Sequence, residues 1–265
     1  MVKICIILIV VLLSLAACNS ADFLYTKDGK IECGGNGEAI ILVDNPEAAD
    51  PTFVELAAFI KADPTDSKDY VEDGPNAYVC SDFAEEVHNN AETAGIRAGW
   101  AGIKFTGMEV GHAVNAFETT DKGLIYIDCT NGRSHENEGD EAPSWDTVAY
   151  IEAGKRYGIL HIDQVISAPY DYYTFQYDFY MDCEKTRLEY EVLLNMYNEE
   201  VNNYNSEVNG KVYTIGSAEE KRITTWKERL DRQEEYLKQM EKELGKHWYE
   251  SEYSSYTVED VHIHW

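Results

Sequence analysis

The sequence predicts an α+β domain with a long antiparallel helical hairpin appended, and three features point to it. Residues 79–94 place Phe83, Ala84, Val87, Ala91 and Ala94 at helical spacing, and strand-like runs follow in quick succession. From Tyr190 onward the apolar positions advance by alternating steps of four and three, twice over, which is coiled-coil spacing. A chain of 265 residues is long enough for one good core plus an appendage.

The N-terminal residues read as a targeting segment. Lys3 precedes an apolar run from Ile4 to Leu15, too short to span a bilayer as a helix but the length of a signal-peptide core. Leu15-Ala16-Ala17-Cys18 resembles a bacterial-type lipobox, in which the cysteine is lipidated and begins the mature protein. Cleavage after Ala17 in ordinary secretion is the alternative. Either route puts the mature chain outside the cytoplasm, and the first makes it a cell-surface lipoprotein anchored to the membrane through Cys18. Residues 1–17 are thus expected to be a signal peptide and residues 18–36 a polar tether running out through Gly34-Gly35.

The expected core spans residues 37–182. Ala39 to Val43 suits a first strand or a buried loop. Asp50 and Pro51 are placed as N-cap and first helical residue, with Phe53, Leu56, Ala57 and Ile60 behind them and an end near Asp63-Pro64. Residues 64–75 read as a loop. After the helix at 79–94, Gly95 sits where a left-handed cap is wanted. Strands are expected over Ile96 to Phe105, His112 to Thr119 and Leu124 to Cys129, the last two joined through Asp121-Lys122-Gly123. An acidic loop covers 131–144, a further strand Ile159 to Ile166, and a tyrosine-rich edge strand Tyr170 to Tyr180.

Residues 183–248 form the expected hairpin. Tyr190, Leu194, Tyr197, Val201, Tyr204 and Val208 make the first stripe; Ile223, Trp226, Leu230, Gln233, Leu237, Met240 and Leu244 make the second. Asn209-Gly210 breaks the first helix, and Ser217 with Glu220 caps the next. Each helix should be about 40 Å long at ~1.5 Å per residue, and the arm is a candidate surface for a protein partner. Residues 249–265 read as a strand returning to the core, with His262 and His264 on one face.

With 49 acidic against 22 basic side chains, the formal charge of −27 repels phosphate backbones and argues against a nucleic-acid partner. Four cysteines remain beyond the signal region. If Cys80 is a free nucleophile, then Cys33, Cys129 and Cys183 leave either one disulfide and a thiol or three thiols. No Cys-x-x-Cys pair occurs, so a structural zinc site is not expected.

A thiol attacks well only as thiolate, and the start of a helix favours that charge while offering N–H groups to an oxyanion. Cys80 stands in the first turn of the predicted helix. His88 lies eight residues on along the same helix, about 12 Å away, and cannot serve as its base. His112 begins a strand after Gly111, and Asp128 ends the next one, so a hairpin can bring imidazole and carboxylate together. Cys80, His112 and Asp128 are therefore the expected catalytic triad, with Asp128 fixing the imidazole tautomer and His112 taking the thiol proton.

These residues carry a resemblance. Cys80 with Phe83-Ala84, Gly95-Ile96, His112-Ala113 and Asp128-Cys129-Thr130 occur in the order found in the catalytic core of the transglutaminase-like superfamily. The similarity covers residues 78–131; Tyr78, Gly99 and Cys129 depart from the family's usual glycine, arginine and proline. The resemblance implies a papain-like core, a cysteine helix packed on an antiparallel sheet, that needs no metal or cofactor. It also implies attack of Cys80 on an amide or ester carbonyl of a peptide or protein substrate, a thioester, and hydrolysis as a cysteine peptidase or amidase. Asn76 and Tyr78 are candidate oxyanion donors beside the Cys80 N–H. Transamidation of protein glutamine shares the thioester, and a surface binding protein using the same fold without catalysis is the alternative from another class.

Overall fold

The computed structural model describes residues 20–27, 29–130, 146–168, 171–244 and 252–265. The expected signal peptide, Cys18, the acidic loop, His135 and His247 lie outside them. The described chain is mixed α and β, built on an antiparallel six-stranded sheet with five α-helices among the described residues.

In chain order the elements are β1 (Ser20–Phe23), β2 (Ile41–Asp44), α1 (Phe53–Ile60), α2 (Cys80–Thr93), β3 (Gly99–Phe105), β4 (His112–Thr119), β5 (Gly123–Asp128), β6 (Thr147–Tyr150), β7 (Gly158–His161), α3 (Ile162–Ser167), α4 (Tyr177–Val208), α5 (Ala218–Leu244) and β8 (Val258–His264). The large sheet runs β7-β6-β5-β4-β3-β8, every pairing antiparallel. β1 and β2 form a separate two-stranded ribbon.

Several expectations are corrected, each for a local physical reason. The segment read as a tether is folded from Ser20 onward: β1 pairs β2, and Leu24 is buried with Ile40, Leu42, Ala84, Trp100 and Ala113. Its apolar residues are few, and of them Leu24 is the one buried, while Phe23, Tyr25 and Ile31 stay exposed. α1 is capped by Thr52, not Asp50. The Thr52 hydroxyl accepts from the Glu55 N–H, and Glu55 accepts from the Thr52 N–H at 2.8 Å, a complete capping box. Asp50 instead pairs with Arg97 at 2.6 Å.

The stretch read as one strand from Ile159 to Ile166 divides into β7 and α3. His161 Nδ1 accepts from the Asp163 N–H and starts the helix, and Ile162 and Val165, three apart, bury the same face. The tyrosine run near 170–180 is not a strand either. It holds a short 3-10 turn at Tyr172–Phe175 and then enters α4, so the hairpin begins before residue 183. Here packing of Phe175, Tyr177, Phe179 and Tyr180 against the core outweighs the β preference of tyrosine.

Two apolar layers sandwich the sheet. On one side α1, α2 and α3 bury Phe53, Leu56, Ile60, Val87, Ala91, Ile162 and Val165 against Phe117, Ile125, Ile127 and Val148. On the other, Ile103, Phe105, Val114, Tyr157, Ile159 and Val258 pack together. β4 is central and buried almost throughout, as a strand covered on both faces must be. Gly95, at φ 81°, ends α2 in the left-handed conformation that side chains resist.

α4 and α5 lie against each other as a hairpin. Ile223, Leu230, Leu237, Met240 and Leu244 are buried, Tyr204 meets Trp226 edge to face at 5.4 Å, and Arg222 pairs with Glu207 at 2.9 Å.

Candidate active site

Cys80 is the first residue of α2. Val79 occupies the N-cap with a side chain that cannot accept a hydrogen bond, so the Asp82 carboxylate does that work: it accepts from the N–H groups of Val79 and Gly35, each at 2.8 Å. The helix start is thereby tied to the segment at residues 33–35, and the Ser81 hydroxyl adds a bond to the Cys33 carbonyl at 3.4 Å.

His112 opens β4 and Asp128 closes β5. Asn115 faces Ile127 in the register, so Asp128 stands diagonally across from His112 on the same sheet face, within reach of a long side chain. The imidazole Nε2 lies 2.8 Å from Asp128 Oδ2, and neither side chain has any exposure. A buried carboxylate is costly unless its lone pairs are filled. Here they are. Oδ1 accepts from the Thr130 N–H at 2.9 Å and from the Thr130 hydroxyl, while Oδ2 accepts also from the Tyr157 hydroxyl at 2.6 Å. Burial alone would raise the Asp128 pKa; the His112 charge and hydrogen bond, with those from Thr130 and Tyr157, outweigh it and hold the group below its ordinary value. A filled, acceptor-only carboxylate fixes the proton on Nε2.

Nδ1 is then the nitrogen left for sulfur. It is buried and makes no hydrogen bond of ordinary geometry, while Cys80 stands close enough to contribute, after Asp128, to raising the imidazole pKa. The contact is therefore looser than a standard bond, as is common for catalytic pairs without substrate. Burial pulls the imidazole pKa down, but Asp128 and then Cys80 push it up to about 10. Tyr253 stacks on the ring with centroids 4.1 Å apart, and Tyr157 meets it edge-on at 5.5 Å.

A cleft of about 580 Å³ opens over the pair, lined by Cys80, His112, Trp100, Ile103, Cys33, His262 and His264 among others. Neither a protein-family model, nor a curated protein, nor a solved structure matches the chain.

Two of the expected donors lie elsewhere. Asn76 and Tyr78 do not line the cleft; the Tyr78 hydroxyl donates to Glu86, and its backbone N–H is used by the Val71 carbonyl. Tyr78 is a support for α2, whose first two residues are Cys80 and Ser81. Cys33, Cys80, Cys129 and Cys183 are all unbridged. Cys129 is buried, with Sγ 3.5 Å from Asp146 Oδ1, and burial followed by the Asp146 charge raises its pKa well above the ordinary thiol value, which disfavours the thiolate. His262 and His264 pack ring against ring at 4.4 Å, and no cluster of three metal-ligating side chains occurs among the described residues.

Tyr157, Tyr253 and Trp100 carry no motif, and nothing in local spacing marks them. Only the fold brings them to the site. Replacing Tyr157 by phenylalanine strands one buried lone pair of Asp128, and is expected to cost about 1–3 kcal/mol of stability in urea unfolding. A loss below ~0.5 kcal/mol would mean the hydroxyl contributes nothing to the carboxylate.

Proposed function

We propose that the protein is a transglutaminase-like cysteine hydrolase or peptidase with a papain-like core, acting on amide bonds through Cys80, His112 and Asp128. The observation that carries this reading is the fully buried His112, held at Nε2 by an ionised Asp128 while Nδ1 is left to the Cys80 thiol.

The chemistry follows from the arrangement. The thiol proton passes to Nδ1, giving thiolate beside imidazolium, and the helix start favours the charge on sulfur. Sulfur attacks the carbonyl carbon, and the oxyanion is received by first-turn N–H groups of α2. The Nδ1 proton goes to the leaving amine as the C–N bond breaks, which leaves a thioester on Cys80. Water, deprotonated by the neutral imidazole, then releases the acid and restores the thiol. An amine in place of water would give transamidation from the same intermediate.

The reading also places the protein outside the cytoplasm, tethered through Cys18. Retention of the protein in a detergent phase, and its release on Cys18→Ser, tests that part separately.

Because Asp128 and then Cys80 raise the His112 pKa against the pull of burial, the imidazolium is favoured in the neutral range and is lost as pH rises through the raised value. Iodoacetamide should accordingly alkylate Cys80 rapidly well below pH 8, and His112→Ala should slow the reaction at pH 6–7 by about tenfold or more. A Cys80 that reacts only as an ordinary thiol, indifferent to His112→Ala, sinks the catalytic reading and favours a non-catalytic surface protein.

A further inference from the structure

We propose that the cleft takes acyl donors carrying a basic side chain, lysine or arginine, beside the carbonyl that Cys80 attacks, with Glu32 and Glu109 receiving the cationic head. The proposal rests on Cys80 being the nucleophile.

Five charged carboxylate and ammonium side chains line the cleft: Lys27, Lys104, Glu32, Glu109 and Asp260. Both cations are already neutralised, Lys27 by Asp260 and Lys104 by Glu259 at 2.6 Å. Glu32 and Glu109 have neither an ion pair nor a side-chain hydrogen bond among the described residues. Two uncompensated negative charges therefore face the space above the sulfur. His264, which also lines the cleft, is disfavoured as a counter-charge: burial, followed by the His262 charge, lowers its pKa from the ordinary value.

Glu32 is the more telling of the two. Its backbone is bonded on both sides, N–H to the Leu24 carbonyl at 2.9 Å and carbonyl to the Ile40 N–H at 3.0 Å, so the main chain that carries the carboxylate is fixed at the cleft wall. It is half-buried, and burial raises its pKa from the ordinary value with no partner to oppose the shift. A cationic ligand would supply the missing partner, whereas a neutral side chain would desolvate the carboxylate further. The reacting end of the cleft is fixed independently by Cys80, half-buried in its lining, with the unbonded His112 Nδ1 buried behind it. Trp100 and Met108 line the same cleft and offer apolar wall for the methylene stem of a long basic side chain. The formal charge of −27 adds attraction at longer range.

The test uses the purified chain and three probes, the p-nitrophenyl esters of acetyl-lysine, acetyl-norleucine and acetyl-glutamate. In each, a bond forms between Cys80 sulfur and the acyl carbon, the bond to the phenolate oxygen breaks, nitrophenolate leaves, and the thiol proton passes to His112. Acylation is followed by absorbance and located on Cys80 by mass spectrometry. The lysine ester should acylate about tenfold faster or more than the norleucine ester, the glutamate ester more slowly still, and the lysine preference should shrink with added salt. Glu32→Gln should reduce the lysine-to-norleucine ratio to about threefold or less, with Glu109→Gln reducing it further. Equal rates on lysine and norleucine esters, or a ratio untouched in the double variant, overturn the proposal while leaving Cys80 as nucleophile. Absence of acyl-Cys80 with all three esters overturns both.

Discussion

Replacement of Asp128 by asparagine should leave the domain folded and lower turnover by a factor on the order of 10³–10⁴. The amide keeps the size of the carboxylate, and its oxygen can still accept from the Thr130 N–H and hydroxyl. What it presents to Nε2 is an N–H in place of an acceptor. The imidazole must then carry its proton on Nδ1, and Nδ1–H cannot take a proton from the Cys80 thiol. The charge that raises the His112 pKa is lost at the same time. Thermal unfolding with kcat on an amide substrate checks both halves. Turnover within tenfold of the parent protein would remove Asp128 from the mechanism.

The second large effect is expected at Gly111, the residue before His112. A Cβ built there would lie 2.4 Å from the Ile103 carbonyl oxygen, which is backbone on the neighbouring strand and cannot swing aside. Gly111→Ala should therefore force β3 and β4 apart where the imidazole is mounted, at a cost of about 1–3 kcal/mol. A chain of this size should lose at least ~2 °C in Tm. Activity should fall beyond that loss, by more than about tenfold, because displacing a catalytic base by ~1 Å is itself costly. An alanine variant with parental Tm and parental turnover would show that the strands absorb the methyl group without moving His112.

Much of the site was legible in the sequence because its signals are local. Cys80 at a helix start, His112 after a glycine and Asp128 at a strand end each follow from patterning within a few residues, and the hairpin between the last two needs only one turn. The apolar stripes of α4 and α5 were legible for the same reason. Signals of another kind were not. Tyr157 reaches Asp128 across 29 residues, and Tyr253 reaches His112 from beyond the whole helical arm; both depend on how the sheet curls, which no short window contains. β6 was missed because four buried residues after a polar stretch resemble any apolar run. The strand expected over Ala39 to Val43 is found as β2, but its partner β1 was missed because that segment is dominated by polar residues and its burial falls on Leu24. The tyrosines at 172–180 misled because propensity is a weak prior that core packing overrides.

The outermost strands of the sheet are not far apart in space. Just ahead of β7 and β8 the backbone is stitched across: the Tyr157 N–H to the Tyr256 carbonyl at 3.0 Å, the Val258 N–H to the Lys155 carbonyl at 2.8 Å, and the Gly154 N–H to the Val258 carbonyl at 2.8 Å. Groups that an open sheet would present to a foreign strand are thus satisfied internally over part of both rims. Growth of ordered aggregates by edge-wise recruitment of further copies is correspondingly discouraged.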